Sequence, residues 1–150
     1  MEEIRELYQE IILDHNKNPK NYGELEHYNH SAEGFNPLCG DKIYVYLDVE
    51  NDTIKDVSFT AAGCAISKAS ASVMTTILKG KTLKEANELF GKFKDMITAD
   101  HNTTPDFENL GKLAVFAGVR EFPIRVKCAT LSWHTLLEAL EKGDKLVSAE

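Results

Sequence analysis

Residues 43–60 read Ile-Tyr-Val-Tyr-Leu-Asp-Val-Glu-Asn-Asp-Thr-Ile-Lys-Asp-Val-Ser-Phe-Thr. Ile43, Val45, Leu47 and Val49 alternate with their neighbours, the period-two signature of a strand with one buried face. Asn51-Asp52 makes a turn, and Thr53 to Thr60 alternates again through Val57 and Phe59, which predicts a hairpin. Ala61-Ala62-Gly63 then opens a helix from about Cys64 to Lys79, with Ile66, Ala69, Val73 and Ile77 as its stripe. The many Ala and Ser residues there predict that another element packs close against it.

Working outward, Ile4, Leu7, Tyr8, Ile11 and Ile12 follow a helical stripe from Ile4 to Leu13, which Asn16, Asn18 and Pro19 stop. Asn21 to Ser31 is polar and loop-like, ending in an edge strand. Beyond the central helix, Leu83, Ala86, Phe90 and Phe93 predict a short helix, Leu83 to Phe93. Lys94 to Thr104 reads as an exposed loop. Thr104-Pro105-Asp106 reads as N-cap, N1 and N2 of a further helix reaching Val119. Pro123 breaks the pattern, and a last helix is predicted from about Lys127 to Glu141, with Trp133, Leu136, Leu137 and Leu140 as its apolar face. The predicted fold class is α+β: a small antiparallel sheet of about three strands with helices packed on one face.

At 150 residues the chain reads as a single domain, 1–150, long enough to bury roughly two-thirds of its unfolded surface. Hydrophobic residues at 43% and charged residues at 27% exclude a disordered chain, a collagen and a coiled coil. No apolar run approaches the ~18 residues a membrane span needs. The acidic Met1-Glu2-Glu3 resembles neither a secretory nor a transit signal. Seventeen Lys and Arg against 24 Asp and Glu give a net charge of −7, so neither nucleic acid nor an anionic membrane is an expected partner. Three cysteines cannot close a disulfide framework, and the expected compartment is cytoplasmic, where thiols stay reduced.

Cys39 lies in Asn36-Pro37-Leu38-Cys39-Gly40-Asp41, a shaped turn just before the hairpin, with Asp41 two residues on. Cys64 falls at the start of the central helix and Cys128 at the predicted start of the last one. Helix N-termini favour thiolate over thiol. Each cysteine thus lies at an element end, where side chains can converge at one rim of the sheet. Against a shared metal site, no pair has C-x-x-C spacing, and isolated cysteines are commonly just buried.

Asn36-Pro37-Leu38-Cys39-Gly40-Asp41, Gly63-Cys64-Ala65-Ile66-Ser67 and Arg125-Val126-Lys127-Cys128-Ala129-Thr130-Leu131 resemble the three cysteine motifs of the IscU/NifU-N family, which serves iron–sulfur cluster assembly. Leu7-Tyr8, Ile11-Ile12-Leu13-Asp14-His15 and Lys17-Asn18-Pro19 resemble its SufU branch. Scaffold-type members carry a His directly before the third Cys; here that residue is Lys127, whose ammonium has no lone pair for a metal. Glu121-Phe122-Pro123-Ile124-Arg125 replaces the scaffold proteins' Leu-Pro-Pro-Val-Lys chaperone segment, and Gly91 to Gly111 resembles the SufU insertion.

The resemblance implies a zinc site made by Cys39, Asp41, Cys64 and Cys128. Three thiolates and a carboxylate fill a tetrahedral zinc shell and leave no place for a hydrolytic water. Their charge exceeds that of zinc, which makes Arg125 and Lys127 candidate auxiliary cations. The implied activity is zinc-dependent sulfur transfer, a sulfurtransferase relay in which Cys39 accepts persulfide sulfur from a cysteine desulfurase and an iron–sulfur scaffold receives it. The alternative is a scaffold that assembles a [2Fe-2S] cluster on the same ligands, or binds iron there, and a third reading is a plain structural zinc domain. His134 is expected to be structural, since six residues from Cys128 is nearly opposite on a helix. His15, His27 and His30 show no metal-like grouping. His101, Asp100 and Asp106 read as loop polarity. Tyr44 and Tyr46 share the non-aliphatic face of the hairpin, where packing under helices is the expectation and a docking surface the alternative.

Overall fold

The computed structural model describes residues 2–38, 40–100, 107–142 and 146–148. Three antiparallel strands, β1 (His30–Asn36), β2 (Asp41–Glu50) and β3 (Thr53–Ala62), carry the architecture. A three-residue strand, β4 (Leu146–Ser148), pairs parallel to β1, giving the order β3-β2-β1-β4. The helices are α1 (Glu2–Lys17), α2 (Ala65–Leu78), α3 (Leu83–Thr98), α4 (Phe107–Leu110), which runs on into a 3₁₀ segment (Gly111–Glu121), and α5 (Pro123–Lys142).

The hairpin forms as its alternation predicts. Ile43, Val45, Leu47, Val57 and Phe59 are fully buried on one face. α5 crosses that face so closely that a Cβ on Gly34 would collide with the Thr135 hydroxyl. Ser70 of α2 donates to the Ala129 carbonyl of α5 at 2.6 Å, so the small residues of α2 do meet a tightly packed neighbour. Trp133 is buried between Phe90, stacked at 5.9 Å, and Phe93 at 5.4 Å. The helices therefore cover one sheet face, as expected. Tyr44 and Tyr46 point the other way and stay half-exposed; Tyr46 meets Tyr28, from the loop before β1, edge-on at 5.1 Å. The packing partner of Tyr46 is thus a loop, not the helices that the sequence suggested.

Asn51 and Asp52 both have positive φ, +52° and +60°, as a two-residue hairpin turn of right-handed twist requires. A left-handed conformation costs a non-glycine residue about 1 kcal/mol. Asp52→Gly is therefore expected to stabilise the fold by about 0.5–1 kcal/mol, read as a raised midpoint in urea unfolding. A lowered midpoint would mean that the aspartate side chain holds the turn.

Four expectations are corrected. β1 is not an edge strand; it lies between β2 and β4 and runs on to Asn36. Its inward residues, Ala32, Gly34 and Asn36, are too small or polar to give an apolar alternation. α3 extends past Phe93 to Thr98, because Met96 and Ile97 continue its buried stripe through the stretch expected to be an exposed loop. The helix expected to reach Val119 is α-helical only over Phe107–Leu110, where Gly111 at φ +51° ends the turn and tighter 3₁₀ geometry takes over. Its proposed cap, Thr104-Pro105-Asp106, and His101 lie outside the described residues. Pro123 does not precede a gap but is the first residue of α5, where its missing N–H is no loss.

Candidate metal centre

Asp41, Cys64 and Cys128 offer ligand atoms that all lie within 4.8 Å of one another. Asp41 opens β2 and is fully buried. Cys64 is the N-cap of α2 and half-buried. Cys128 is buried in the second turn of α5. The sequence reading thus places Cys64 correctly at a helix start and Cys128 incorrectly, because α5 begins at Pro123. The helix dipole therefore has less hold on Cys128 than on Cys64.

The backbone around Gly63 brings Asp41 and Cys64 together. Gly63 has φ +133°, and a Cβ there would stand 2.7 Å from the Asp41 Cα and collide with its carboxylate. The Cys64 N–H donates to Asp41 Oδ1 at 2.7 Å, while the Cys64 thiol lies 3.6 Å from Oδ2. The carboxylate thus caps the chain turn and still faces the sulfur.

Burial pushes the Cys64 thiol up, and the Asp41 charge adds to this. The backbone amide of Ser67, the Cys128 thiol and the backbone amide of Ile66 pull it back down. The helix N-terminus alone does not overcome desolvation. A cation beside this sulfur would favour its thiolate, and a metal held by the three donors would supply one.

Asn36 is a site residue that the sequence reading quoted without assigning it a role. It is fully buried at the end of β1, opposite Asp41. Its side-chain amide donates to Cys128 Sγ at 3.6 Å, and its side-chain oxygen accepts from the Leu38 N–H at 3.1 Å. Its main-chain carbonyl accepts from the Gly40 N–H at 2.8 Å. The Asn-Pro pair signals the turn, but nothing in the sequence signals the sulfur contact.

Cys39, the proposed acceptor, lies outside the described residues. Of the auxiliary cations, Lys127 is half-buried one position before Cys128, whereas Arg125 is exposed and its guanidinium sits 5.7 Å over the Phe122 ring. Among the described residues no histidine joins the donor group. His134 is half-buried, edge-on to Phe90 at 5.1 Å, and burial holds its pKa below the usual value. His15 shares a 2.7 Å hydrogen bond with the Ser72 hydroxyl, and His30 bonds the Ala139 carbonyl at 2.9 Å. His134 thus packs structurally, as expected, and His15 and His30 bond within the fold.

Three apolar side chains of notable exposure flank the donors in sequence: Leu38, Phe122 and Ile124. No helix among the described residues is long and apolar enough to cross a membrane.

The chain is 42% identical over 139 residues to a zinc-dependent sulfurtransferase SufU of Bacillus subtilis, spanning 91% of this chain and 88% of that one. It is 37% identical over 143 residues to an iron-sulfur cluster assembly scaffold protein IscU of Streptococcus pyogenes, spanning 95% and 88%. Among solved structures, an iron-sulfur cluster assembly scaffold protein for the SUF system from Fervidobacterium islandicum superposes with a TM-score of 0.80 at 39% identity, covering 88% of this chain and 95% of that one. A NifU-like N-terminal protein from Brucella abortus shares the fold, at a TM-score of 0.78 and 23% identity, over 89% of this chain and 91% of that one. The model of the NifU-like N terminal domain matches residues 7–129, and the chain belongs to that family of iron–sulfur cluster assembly proteins.

Proposed function

We propose that this chain is a zinc-dependent sulfur-transfer protein of iron–sulfur cluster biogenesis, acting in the cytoplasm between a cysteine desulfurase and a cluster scaffold. The observation that carries the reading is the buried convergence of Asp41, Cys64 and Cys128, with lysine instead of histidine at position 127. The donor spacing suits zinc: tetrahedral bonds of ~2.3 Å put sulfur ligands about 3.8 Å apart. Cys39 is the fourth ligand in this reading, and two residues of chain keep its Cα within about 7 Å of the Asp41 Cα.

Bound zinc supplies the positive charge that keeps these thiols deprotonated at neutral pH. The protein does the rest. Asp41 and Cys64 are joined by the 2.7 Å hydrogen bond from the Cys64 N–H, and Cys128 is buried in a packed helix. Cys39 is the ligand that gives way in this reading, because glycine follows it in the chain, and Gly40 has φ +71° with open space where a side chain would stand. Cys39 thiolate attacks the outer sulfur of the desulfurase persulfide. A new S–S bond forms, the old one breaks, and the desulfurase cysteine leaves as thiolate, with no net oxidation. Lys127, half-buried beside Cys128 in the chain, is the cation this reading assigns to the excess negative charge, while Arg125 lies over Phe122.

A scaffold reading, in which a [2Fe-2S] cluster occupies the same ligands, has the IscU relative in its favour. The two part experimentally. Protein purified without added metal is expected to be colourless with one zinc per chain. With a cysteine desulfurase and free cysteine, mass spectrometry should find one added sulfur on Cys39. Visible absorption from iron, or a persulfide confined to Cys64 or Cys128, would reject the sulfur-transfer reading.

A further inference from the structure

We propose that Asn36 is a positioning residue for the metal-binding sulfur of Cys128, setting its donor strength through an N–H···S hydrogen bond. The inference rests on the metal reading above and deepens it. Asn36 is fully buried, and both ends of its amide are used. The orientation of that amide is not arbitrary. The Leu38 N–H can only donate, so it takes the side-chain oxygen, and the NH₂ group is left facing Cys128 Sγ at 3.6 Å.

One side chain thereby ties two segments 92 positions apart. Its oxygen holds the turn that leads from β1 towards Cys39 and Asp41. Its nitrogen holds the sulfur on α5. An N–H bond to a thiolate withdraws charge from sulfur and fixes which lone pair faces the metal, as partners behind metal ligands commonly do. Cys128 lies in the second turn of α5 rather than at its N-terminus, so Asn36 provides the electrostatic support that the dipole offers Cys64.

Two substitutions separate this role from a structural one. Asn36→Asp is isosteric and keeps the oxygen that accepts from Leu38, but turns a second oxygen toward the sulfur. Asn36→Ser also keeps a turn-forming acceptor and takes the amide N–H away from the sulfur. The full-length proteins are loaded with cobalt(II), and zinc affinity is measured separately by chelator competition. Both variants should bind zinc about 10-fold or more weakly, with Asn36→Asp the weaker. Both should move the sulfur-to-cobalt charge-transfer band to longer wavelength, because a sulfur without its hydrogen bond gives up charge more easily.

If Asn36 mattered only for the turn, Asn36→Asp would be the milder change; that order overturns the proposal. Unaltered affinity and spectrum in both variants overturn it too, while the metal site stands. Wild-type protein that takes up neither ion overturns the metal reading, and this inference with it. Should Asn36→Asp fail to fold, Asn36→Ser decides: an unmoved charge-transfer band sinks the proposal, and a shifted one supports it.

Discussion

Cys128→Ala is expected to lose essentially all stoichiometric zinc and to melt on the order of 10 °C lower than wild type. Cys128 is 1% exposed on α5, whereas Asp41 opens β2 and Cys64 caps α2. A metal held by all three ties the sheet to both helices. A ligand at a thousand times its dissociation constant stabilises the native state by about 4 kcal/mol, and a domain of this size shifts by about 2–4 °C per kcal/mol. Metal analysis and calorimetry read the two quantities. The small cavity left by the lost sulfur is separated by adding a chelator: it should lower the melting temperature of wild type and leave that of the variant unmoved. Full zinc content with unchanged melting would remove Cys128 from the ligand set.

Gly63→Ala should be nearly as damaging, although it removes no ligand. The added methyl would collide with the Asp41 carboxylate and lie 2.7 Å from the Asp41 Cα. The backbone at φ +133° is also one that only glycine adopts freely. Strain and collision together should cost about 3 kcal/mol. The displaced carboxylate should also weaken zinc binding. Gly80→Ala is the control, with φ +89° and nothing within 4 Å of the new methyl. It carries conformational strain without the collision, so it should lose some stability and keep its zinc. Equal zinc loss in both would mean that the Asp41 contact is irrelevant.

The hairpin was legible because a half-buried strand imposes a period on its apolar residues, and α2 because Ile66, Ala69 and Val73 recur at helical spacing although the helix is buried on nearly every side. β2 and β3 begin and end within two residues of the sequence reading. β1 was hidden by its composition: His30, Ser31, Glu33 and Asn36 are strand residues that give no apolar alternation. The start of α5 was missed because proline in the helix interior breaks the element, while proline at its first position begins one. The donor set came from the resemblance of three motifs, since the cysteines have no metal-like spacing of their own. That three of the four residues meet is a matter of tertiary structure, and Asn36 shows the limit most clearly. The turn it makes with Leu38 is local and readable, whereas its contact with Cys128 exists only once β1 and α5 have docked.

The separation of the donors along the chain also bears on the order of events during synthesis. Asp41 and Cys64 are 23 positions apart and meet at the open end of the β2–β3 hairpin, so they can come together as soon as the hairpin forms. The sulfur of Cys128 arrives far later, on the last helix of the bundle. A ribosome-bound chain that has not yet extruded α5 therefore presents the earlier donors of the proposed set but lacks the sulfur of Cys128. If the proposed site binds metal, capture at full affinity would wait until α5 has packed on the sheet, and occupancy would then certify finished tertiary structure. Immature chains would leave the cell's scarce free metal to proteins that have already folded.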